Sequence, residues 1–211
     1  MVIAIDGPAA AGKGTLGRKL AEHFGLAYLD TGALYRAVAL RLLRAGGDPA
    51  DAGAAAAAAR ALEPGDLEAP GLRDQETGRA ASTVAAWPEV RAALVDYQRR
   101  FAAEPPGGAA GAVLDGRDIG TVVCPEADYK LFVTASLEVR AGRRLEELAE
   151  RGETASREEV EREMRERDAR DSGREASPLA RAPDAYLLDT TNLDIDSAFA
   201  AAKSYIGART P

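Results

Sequence analysis

Short apolar runs recur along the chain, and polar or turn-forming residues bound each of them. The five clearest lie at residues 2–5, 26–29, 112–115, 130–134 and 186–188. Near-continuous apolar runs of this length are typical of strands in a sheet that is buried on both faces. Helical patterns lie between them: in the first, Leu16, Leu20 and Phe24 recur every four residues ahead of Gly25, a residue type that often ends helices. Alternating strands and helices predict a three-layer α/β fold with a five-stranded, mainly parallel sheet.

The connection from the second predicted strand to the third is too long for a simple crossover, because it runs over residues 30–111. A loop of this length is rarely left without structure in a compact domain, so we expect a small helical insertion. Asp48 and Pro49 have the pattern of an N-cap and a first helical residue ahead of the alanine run 54–59. We therefore predict a single domain over residues 1–211 that carries this insertion.

A glycine-rich segment follows the first strand and opens the first helix, which is the setting of a phosphate-binding loop. It reads Gly7-Pro8-Ala9-Ala10-Ala11-Gly12-Lys13-Gly14-Thr15 and is called the phosphate loop below. Glycines let main-chain N–H groups turn inward toward phosphate oxygens, and the helix N-terminus adds positive potential. Lys13 can reach the β- and γ-phosphates of ATP, and the Thr15 hydroxyl can serve Mg²⁺ directly or through water. All the loop residues are predicted to bind ATP.

An arginine-rich segment near residue 160 has the spacing of a helix with one functional face. Ser156 and Glu159 form a capping-box pattern, so we expect the helix to begin there. A stripe then follows on a 3.6-residue period, made of Val160, Met164, Arg167, Asp171 and Arg174. Since its first members are apolar, the stripe should point toward the body of the protein, with its charges in a cleft for phosphate or nucleotide. Arg151-Gly152-Glu153 predicts the turn of a short lid over residues about 145–158.

Composition narrows the class of protein. Apolar residues make up 46% of the chain and charged residues 29%, which predicts a globular protein rather than a disordered one. No apolar run approaches the roughly 20 residues of a membrane span, and Asp6 interrupts the N-terminal run too early for a signal peptide. The single cysteine, Cys124, fits a reducing compartment, and the net charge of −7 disfavours binding to nucleic-acid polymers. We expect a cytoplasmic monomer.

Further segments resemble those of the nucleoside monophosphate kinases, and of the bacterial cytidylate kinases in particular. In chain order they are residues 29–36 (LDTGALYR), 81–85 with 88–91, 115–123 (DGRDIGTVV) and 167–174 (RDARDSGR). The resemblance implies a P-loop kinase fold in which the insertion at 30–111 binds the acceptor nucleotide. The chain departs from the family pattern between Arg44 and Ala80, where many relatives are longer and carry a small antiparallel insert.

The resemblance also implies a role for individual residues. The residues that would surround the cytosine are Thr31, Arg91, Asp118 and Arg174. Those that would touch the sugar are Ser82, Arg167 and Asp171. Those that would hold the acceptor phosphate are Arg36 and Arg117. Lys13, Arg117 and Arg167 are the predicted catalytic residues, because their charges can stabilise the transferring phosphoryl group.

The nature of the acceptor explains which groups the reaction needs. A phosphate monoester is already anionic near neutral pH, so its attack on ATP needs alignment and charge stabilisation rather than a strong base. Asp115, at the end of an apolar strand, is a candidate for organising Mg²⁺ through water. Arg140, Arg143 and Arg144 are candidates for the ATP side or for the lid.

The predicted function is ATP-dependent phosphorylation of CMP and dCMP. Two alternatives stay open at this point. The first is a kinase for another acceptor, such as UMP, AMP or a small metabolite alcohol, and an alcohol kinase could use Asp30 or Asp118 to accept the hydroxyl proton. A nucleotide-dependent switch without an acceptor is disfavoured, because the inward arginine stripe would then have no role, and the Asn/Thr-Lys-x-Asp element of guanine-specific switches does not occur.

Overall fold

The computed structural model describes residues 1–209, so the last two residues of the predicted domain lie outside the described part. A five-stranded sheet forms its centre, in the order β2-β3-β1-β4-β5. The strands are β1 (Val2–Asp6), β2 (Ala27–Asp30), β3 (Ala112–Gly116), β4 (Tyr129–Thr134) and β5 (Tyr186–Asp189). Every neighbouring pair is parallel. The predicted α/β fold is confirmed, with a sheet that is wholly rather than mainly parallel.

Helices cover both faces of the sheet. They are α1 (Lys13–Phe24), α2 (Thr31–Arg44), α3 (Ala52–Arg60), α4 (Gln75–Val84), α5 (Pro88–Ala103), α6 (Leu137–Glu150), α7 (Arg157–Gly173) and α8 (Ile195–Gly207). Residues of β1 alternate between the two faces: Ile3 and Ile5 pack with α1 and α8, whereas Ala4 packs with α2 to α5. This alternation gives the three layers, with an apolar core on each side of the sheet.

The connection between β2 and β3 contains α2 to α5, so the expected helical segment is present. The predicted start of its alanine-rich helix is wrong by three residues. Asp51 is the N-cap of α3, and its carboxylate accepts the Ala54 N–H at 3.0 Å. Asp48 instead accepts the Ala50 N–H at 2.8 Å and closes a local turn with Pro49 inside it. Both aspartates can cap a helix, and the one next to the alanines does so.

The start of α7 and the turn before it lie where the sequence predicts them. The Ser156 hydroxyl accepts the Glu159 N–H at 3.2 Å, and the Glu159 carboxylate accepts the Ser156 N–H at 3.0 Å, which confirms the capping box. Gly152 turns the chain between the helices with a φ of 73°, a left-handed conformation that favours glycine. Among the described residues, no helix has both the length and the apolar character that crossing a membrane requires.

Candidate active site

A cleft of about 1210 Å³ opens where β1, β2 and β3 end. The phosphate loop forms one wall, the first turn of α2 and parts of α4 and α5 form another, and the α6–α7 hairpin closes the third. Basic side chains outnumber acidic ones along its lining, although the whole chain is acidic. Carboxyl ends of parallel strands are the usual ligand site of α/β folds, and the local excess of positive charge favours an anionic ligand.

The phosphate loop is held in a conformation that few residues adopt without support. Gly12 has a φ of 90° and Ala10 a φ of 57°. Gly7 lies so close to β4 that a Cβ atom there would be 1.9 Å from the Val133 carbonyl oxygen, so no larger residue fits without moving the backbone. Because the loop follows the central strand and leads directly into α1, its N–H groups gather at a helix N-terminus, where anions bind.

Lys13 is buried at the start of α1 and faces the cleft. Its Nζ donates to the Pro8 carbonyl oxygen at 2.8 Å. Burial, followed by the positive charge of Arg117, lowers the pKa of Lys13 to about 7. A cation in this position gains stability from any phosphate that enters the cleft.

Asp115 lies opposite the loop, at the end of β3. Its carboxylate accepts the Tyr28 hydroxyl at 2.5 Å, and its carbonyl oxygen accepts the Thr31 hydroxyl at 2.6 Å. Burial, followed by the nearby negative charge of Asp30, raises the pKa of Asp115. The carboxyl ends of neighbouring parallel strands thus bring two acidic groups together beside the loop.

Asp171 is the centre of a cluster of arginines on the other side of the cleft. Its carboxylate lies 2.9 Å from Arg117 Nε, 3.3 Å from Arg174 Nη2 and 3.8 Å from Arg167 Nε. Although burial raises the pKa of Asp171, these guanidinium groups outweigh it and hold the pKa below its usual range. Burial and the neighbouring Arg117 charge lower the pKa of Arg167 to about 10. The α7 stripe therefore faces inward, as its spacing predicts, and meets Arg117 from the loop after β3.

Arg91 and Asp118 form a buried ion pair deeper in the cleft. Arg91 Nη2 lies 2.6 Å from Asp118 Oδ2, and the side chains are 8% and 7% exposed. Arg91 also donates to the Ala85 carbonyl oxygen at 3.1 Å and lies 5.3 Å from the centre of the Tyr35 ring. Arg174 donates to the same carbonyl at 3.2 Å, so the ion pair and the Asp171 cluster are joined.

Some buried donors of this cluster make no hydrogen bond to any described residue. They are Arg91 Nε, Arg167 Nε and Arg174 Nη2, and the contacts of the last two with Asp171 are ion pairs without hydrogen-bond geometry. Buried polar atoms in native proteins normally have a partner, which can be water or a ligand. Donors of this kind, next to carboxylate acceptors, are suited to the edge of a nucleobase or to the hydroxyls of a sugar.

Comparison with known proteins agrees with this geometry. The family model described as cytidylate kinase matches residues 3–207. A cytidylate kinase of Paramagnetospirillum magneticum is 63% identical over 208 residues, covering 99% of this chain and 98% of its own. A cytidylate kinase of Rhodospirillum rubrum is 61% identical over 202 residues, covering 96% and 95%. The chain belongs to the cytidylate kinase family.

The likeness extends to a solved structure, in fold alone. An uncharacterized protein from Eubacterium ventriosum has a TM-score of 0.58 at 15% identity, covering 99% of each chain. The family model and the two relatives confirm the family resemblance inferred from the sequence motifs, and the parallel sheet places these motifs around one cleft. The residues predicted to bind the acceptor all line it: Thr31, Arg36, Ser82, Arg91, Arg117, Asp118, Arg167, Asp171 and Arg174.

Several of these residues are engaged with other protein groups. Arg36 donates to the carbonyl oxygens of Leu72 and Asp74, at 3.3 and 3.4 Å. The Ser82 hydroxyl accepts Arg170 Nε at 3.4 Å. Within the phosphate loop of this cytidylate kinase family member, Ala9, Ala10 and residues 12–15 line the cleft. Ala11 supports the loop from behind, where its carbonyl oxygen accepts the Thr190 hydroxyl.

The arginines after β4 divide between two roles. Arg143 and Arg144 line the cleft. Arg143 is held there by the hydroxyl and the carbonyl oxygen of Thr190, at 3.0 and 2.8 Å. Arg140, in contrast, is buried, pairs with Asp168 at 2.7 Å and lies outside the cleft lining, and its place on the ATP side or in the lid stays a prediction. Its guanidinium group also contacts the Ala9 carbonyl oxygen at 3.4 Å and so supports the phosphate loop.

Some residues of the site carry no sequence signal of their own. Arg151, in the turn between α6 and α7, donates to the Arg73 carbonyl oxygen at 2.6 Å, and the Arg73 side chain lies 3.5 Å from Asp30. These contacts join the α6–α7 hairpin to the helices after β2, across the cleft. Tyr35 and Arg170 could have been found, since both lie inside recognised motifs, whereas nothing near Arg73 identifies it.

Among the described residues, no group of three or more His, Cys, Asp or Glu side chains is arranged to hold a metal ion.

Proposed function

We propose that this chain transfers the γ-phosphoryl group of ATP to CMP and dCMP. The observation that carries the proposal is the meeting of two anion-binding groups in one cleft: the phosphate loop with Lys13, and the arginine cluster around Asp171. Two nucleotide phosphates bound there would face each other. Relatives that are more than 60% identical over nearly the whole chain bear the name cytidylate kinase, which supports the same reaction.

ATP would bind to residues 7–15 through main-chain N–H groups. In the free protein Lys13 Nζ donates to the Pro8 carbonyl oxygen. A phosphate oxygen is a better partner for the lysine because it carries charge, so we expect Lys13 to exchange one acceptor for the other. Arg143 and Arg144, on the hairpin side of the loop, would contribute further positive charge.

The residues near the loop fit Mg²⁺. Thr15 and Asp115 both line the cleft and carry oxygen ligands, and the proximity of Asp30 to Asp115 creates a negative site that a cation would neutralise. Mg²⁺ commonly takes one or two protein oxygens and completes its shell with phosphate oxygens and water. When bound with ATP, it would neutralise charge on the β- and γ-phosphates. Thr15 and Asp115 are the residues that would hold it, directly or through water.

The acceptor would lie against the insertion at 30–111 and under the lid at about 145–158. Arg36 and Arg117 would hold its phosphate, while Ser82, Arg167 and Asp171 would contact its sugar. Arg117 and Arg167 belong to the Asp171 cluster, and their charges also act on Lys13, so with Lys13 they would stabilise the charge of the transferring phosphoryl group. The acceptor phosphate is itself the nucleophile, so alignment rather than a general base would limit the rate.

The base would be read by Asp118 and Arg91, with Thr31 and Arg174 nearby. A carboxylate accepts from the exocyclic amine of cytosine, and an arginine donates to its ring nitrogen or carbonyl oxygen. UMP presents a carbonyl where CMP has the amine, so Asp118 would face it without a hydrogen bond. Sites built to bond a particular polar group reject analogues that leave a buried partner unpaired.

An acceptor panel tests the proposal. Purified protein is given ATP, Mg²⁺ and CMP, dCMP, UMP or AMP at equal concentration, and ADP release is followed by a coupled assay. We expect CMP and dCMP to give the highest kcat/KM. Preference for UMP or AMP would replace the proposed acceptor, and ATP turnover that none of the four acceptors stimulates would contradict kinase activity toward nucleoside monophosphates. A cytoplasmic location and a monomeric state stay predictions, and gel filtration tests the second.

A further inference from the structure

Arg140 on α6 connects three parts of the molecule through its guanidinium group. Nη2 and Nη1 donate to the two carboxylate oxygens of Asp168 on α7, at 2.7 and 3.3 Å. Nη1 also lies 3.4 Å from the Ala9 carbonyl oxygen in the phosphate loop, and Nε donates to the Ala135 carbonyl oxygen at 3.1 Å. The Arg140 side chain is 7% exposed, so solvent screens these contacts little. A rigid planar fork suits this arrangement, because one group must bond several fixed acceptors.

Asp168 lies on the side of α7 that faces α6, next to residues that face the cleft. Successive residues of a helix point about 100° apart. Arg167 therefore faces the cleft while Asp168 reaches Arg140, and Asp171 lies one turn further along the same helix. The carboxylate held by Arg140 thus fixes the turn of α7 that carries the acceptor-site charges.

The phosphate loop is packed against the same hairpin. Ala9 and Ala10 contact an apolar cluster between the two helices, made of Ala141, Leu148, Val160 and Met164. Ala10 has a φ of 57°, which costs a non-glycine residue energy and persists only where the surroundings impose it. The loop, α6 and α7 therefore meet at one contact region, in which Arg140 and Asp168 supply the polar contacts.

We propose that Asp168, acting through Arg140, is a positioning residue that couples the phosphate loop to the acceptor-binding face of α7. The proposal rests on the proposed function, because the sites that it connects are those of ATP and the acceptor. Without the Asp168 charge, Arg140 is no longer held between α7 and the Ala9 carbonyl. The loop and the stripe then lose their shared support, and both substrates bind less well.

The test compares Asp168→Asn with the native protein. Affinity for a non-hydrolysable ATP analogue is measured by calorimetry, and KM and kcat are measured for ATP and CMP. We expect the analogue to bind roughly threefold to thirtyfold more weakly, the range in which loss of one network contact alters coupling between sites. Both KM values should rise as well. A merely structural role would reduce the amount of active protein, and so kcat, while affinity and KM stayed unchanged.

Glu161→Gln is the matched control on the same helix. Glu161 pairs with Arg165 at 2.7 Å and Arg157 at 3.8 Å, both within α7. Its loss should change neither the analogue affinity nor either KM. Thermal unfolding of each variant shows whether the protein used in the binding measurement is folded.

Arg140→Lys gives a second test that does not depend on the folding of Asp168→Asn. Lysine keeps the charge but cannot bond Asp168 and Ala9 through one fork, so we expect the same loss of affinity. The double variant should bind no more weakly than either single one, because both changes break one connection. Native affinity and native KM values in both single variants would overturn the proposal. Analogue binding does not depend on the acceptor, so a different preferred acceptor would refute the proposed function alone.

Discussion

Replacing Asp118 by asparagine tests the buried ion pair with Arg91. The two charged groups lie 2.6 Å apart and are almost fully buried. Removing one partner of a buried pair costs roughly 3–5 kcal/mol, because the other charge stays buried without compensation. The cost should be lower here, since asparagine keeps the shape and one acceptor oxygen, and Arg91 keeps the Ala85 carbonyl and the Tyr35 ring. We expect the free energy of unfolding to fall by about 2–3 kcal/mol, which is the contribution of a hydrogen bond to a charged group.

Two measurements follow this variant. Urea unfolding monitored by circular dichroism gives the free energy of unfolding, with Asp196→Asn as the control. Asp196 pairs with Lys19 at the surface, where the side chains are 81% and 40% exposed, so its loss should cost less than about 1 kcal/mol. The coupled assay then compares kcat/KM for CMP and UMP, and we expect the Asp118→Asn protein to lose roughly 10- to 150-fold of its discrimination.

The unfolding measurement and the selectivity assay test different roles of Asp118, so their results can contradict the prediction independently. If Asp118→Asn and Asp196→Asn lower the free energy of unfolding equally, burial does not make the Arg91 pair more important than a surface pair. If stability falls but the preference for CMP over UMP is retained, Asp118 serves only to neutralise Arg91, and its assignment to the base is wrong.

Two further predictions concern the phosphate loop. Because burial lowers the pKa of Lys13 to about 7, its amine is largely neutral at pH 8 in the free protein, and phosphate should restore its charge. ATP binding at pH 8 should therefore be accompanied by the uptake of about one proton. In calorimetry, the binding enthalpy should then vary with the ionisation enthalpy of the buffer. A binding enthalpy that is the same in every buffer would contradict the lowered pKa of Lys13. Gly7→Ala would place a Cβ atom 1.9 Å from the Val133 carbonyl oxygen, and we expect urea unfolding to show a loss of about 3 kcal/mol or more. Gly207→Ala, which meets open space, should be nearly neutral, and equal effects of the two changes would contradict the steric reasoning.

The strands and the phosphate loop were predictable because their signals are local. The inner strands β1, β3 and β4 are largely buried and so are mostly apolar, and a phosphate loop needs glycines between a strand and a helix. The edge strand β5 is also apolar, although three of its four residues are exposed, so burial on both faces was wrongly expected for it. The cap of α3 was not fixed by local signals, since Asp48 and Asp51 both suit the position and only packing of the alanines selects between them. The order of the strands is likewise a property of the packed sheet, not of any one segment.

The candidate site was predictable where one helix carries several of its residues. The stripe of α7 faces the cleft because its apolar members must be buried, and Arg167 and Asp171 follow the same period. The partners of charged residues were not predictable, because an ion pair such as Arg140 with Asp168 joins different helices and leaves no trace in spacing. The sequence alone does not distinguish an arginine that binds a ligand from one that supports a loop, because the partner of each is brought near only by folding.

The order of strands in the sheet has a consequence for synthesis on the ribosome. β1 pairs with β3 and β4, and β2 pairs with β3. Within residues 1–111, all of which the structure describes, no strand therefore has a neighbour. During synthesis, β1 has no strand to pair with until residues 112–116, which form β3, have emerged. For more than half of translation it is therefore an unpaired apolar segment beside a glycine-rich loop. Strands so far apart in the chain pair slowly, so the exposed apolar segment makes the half-made chain prone to aggregation.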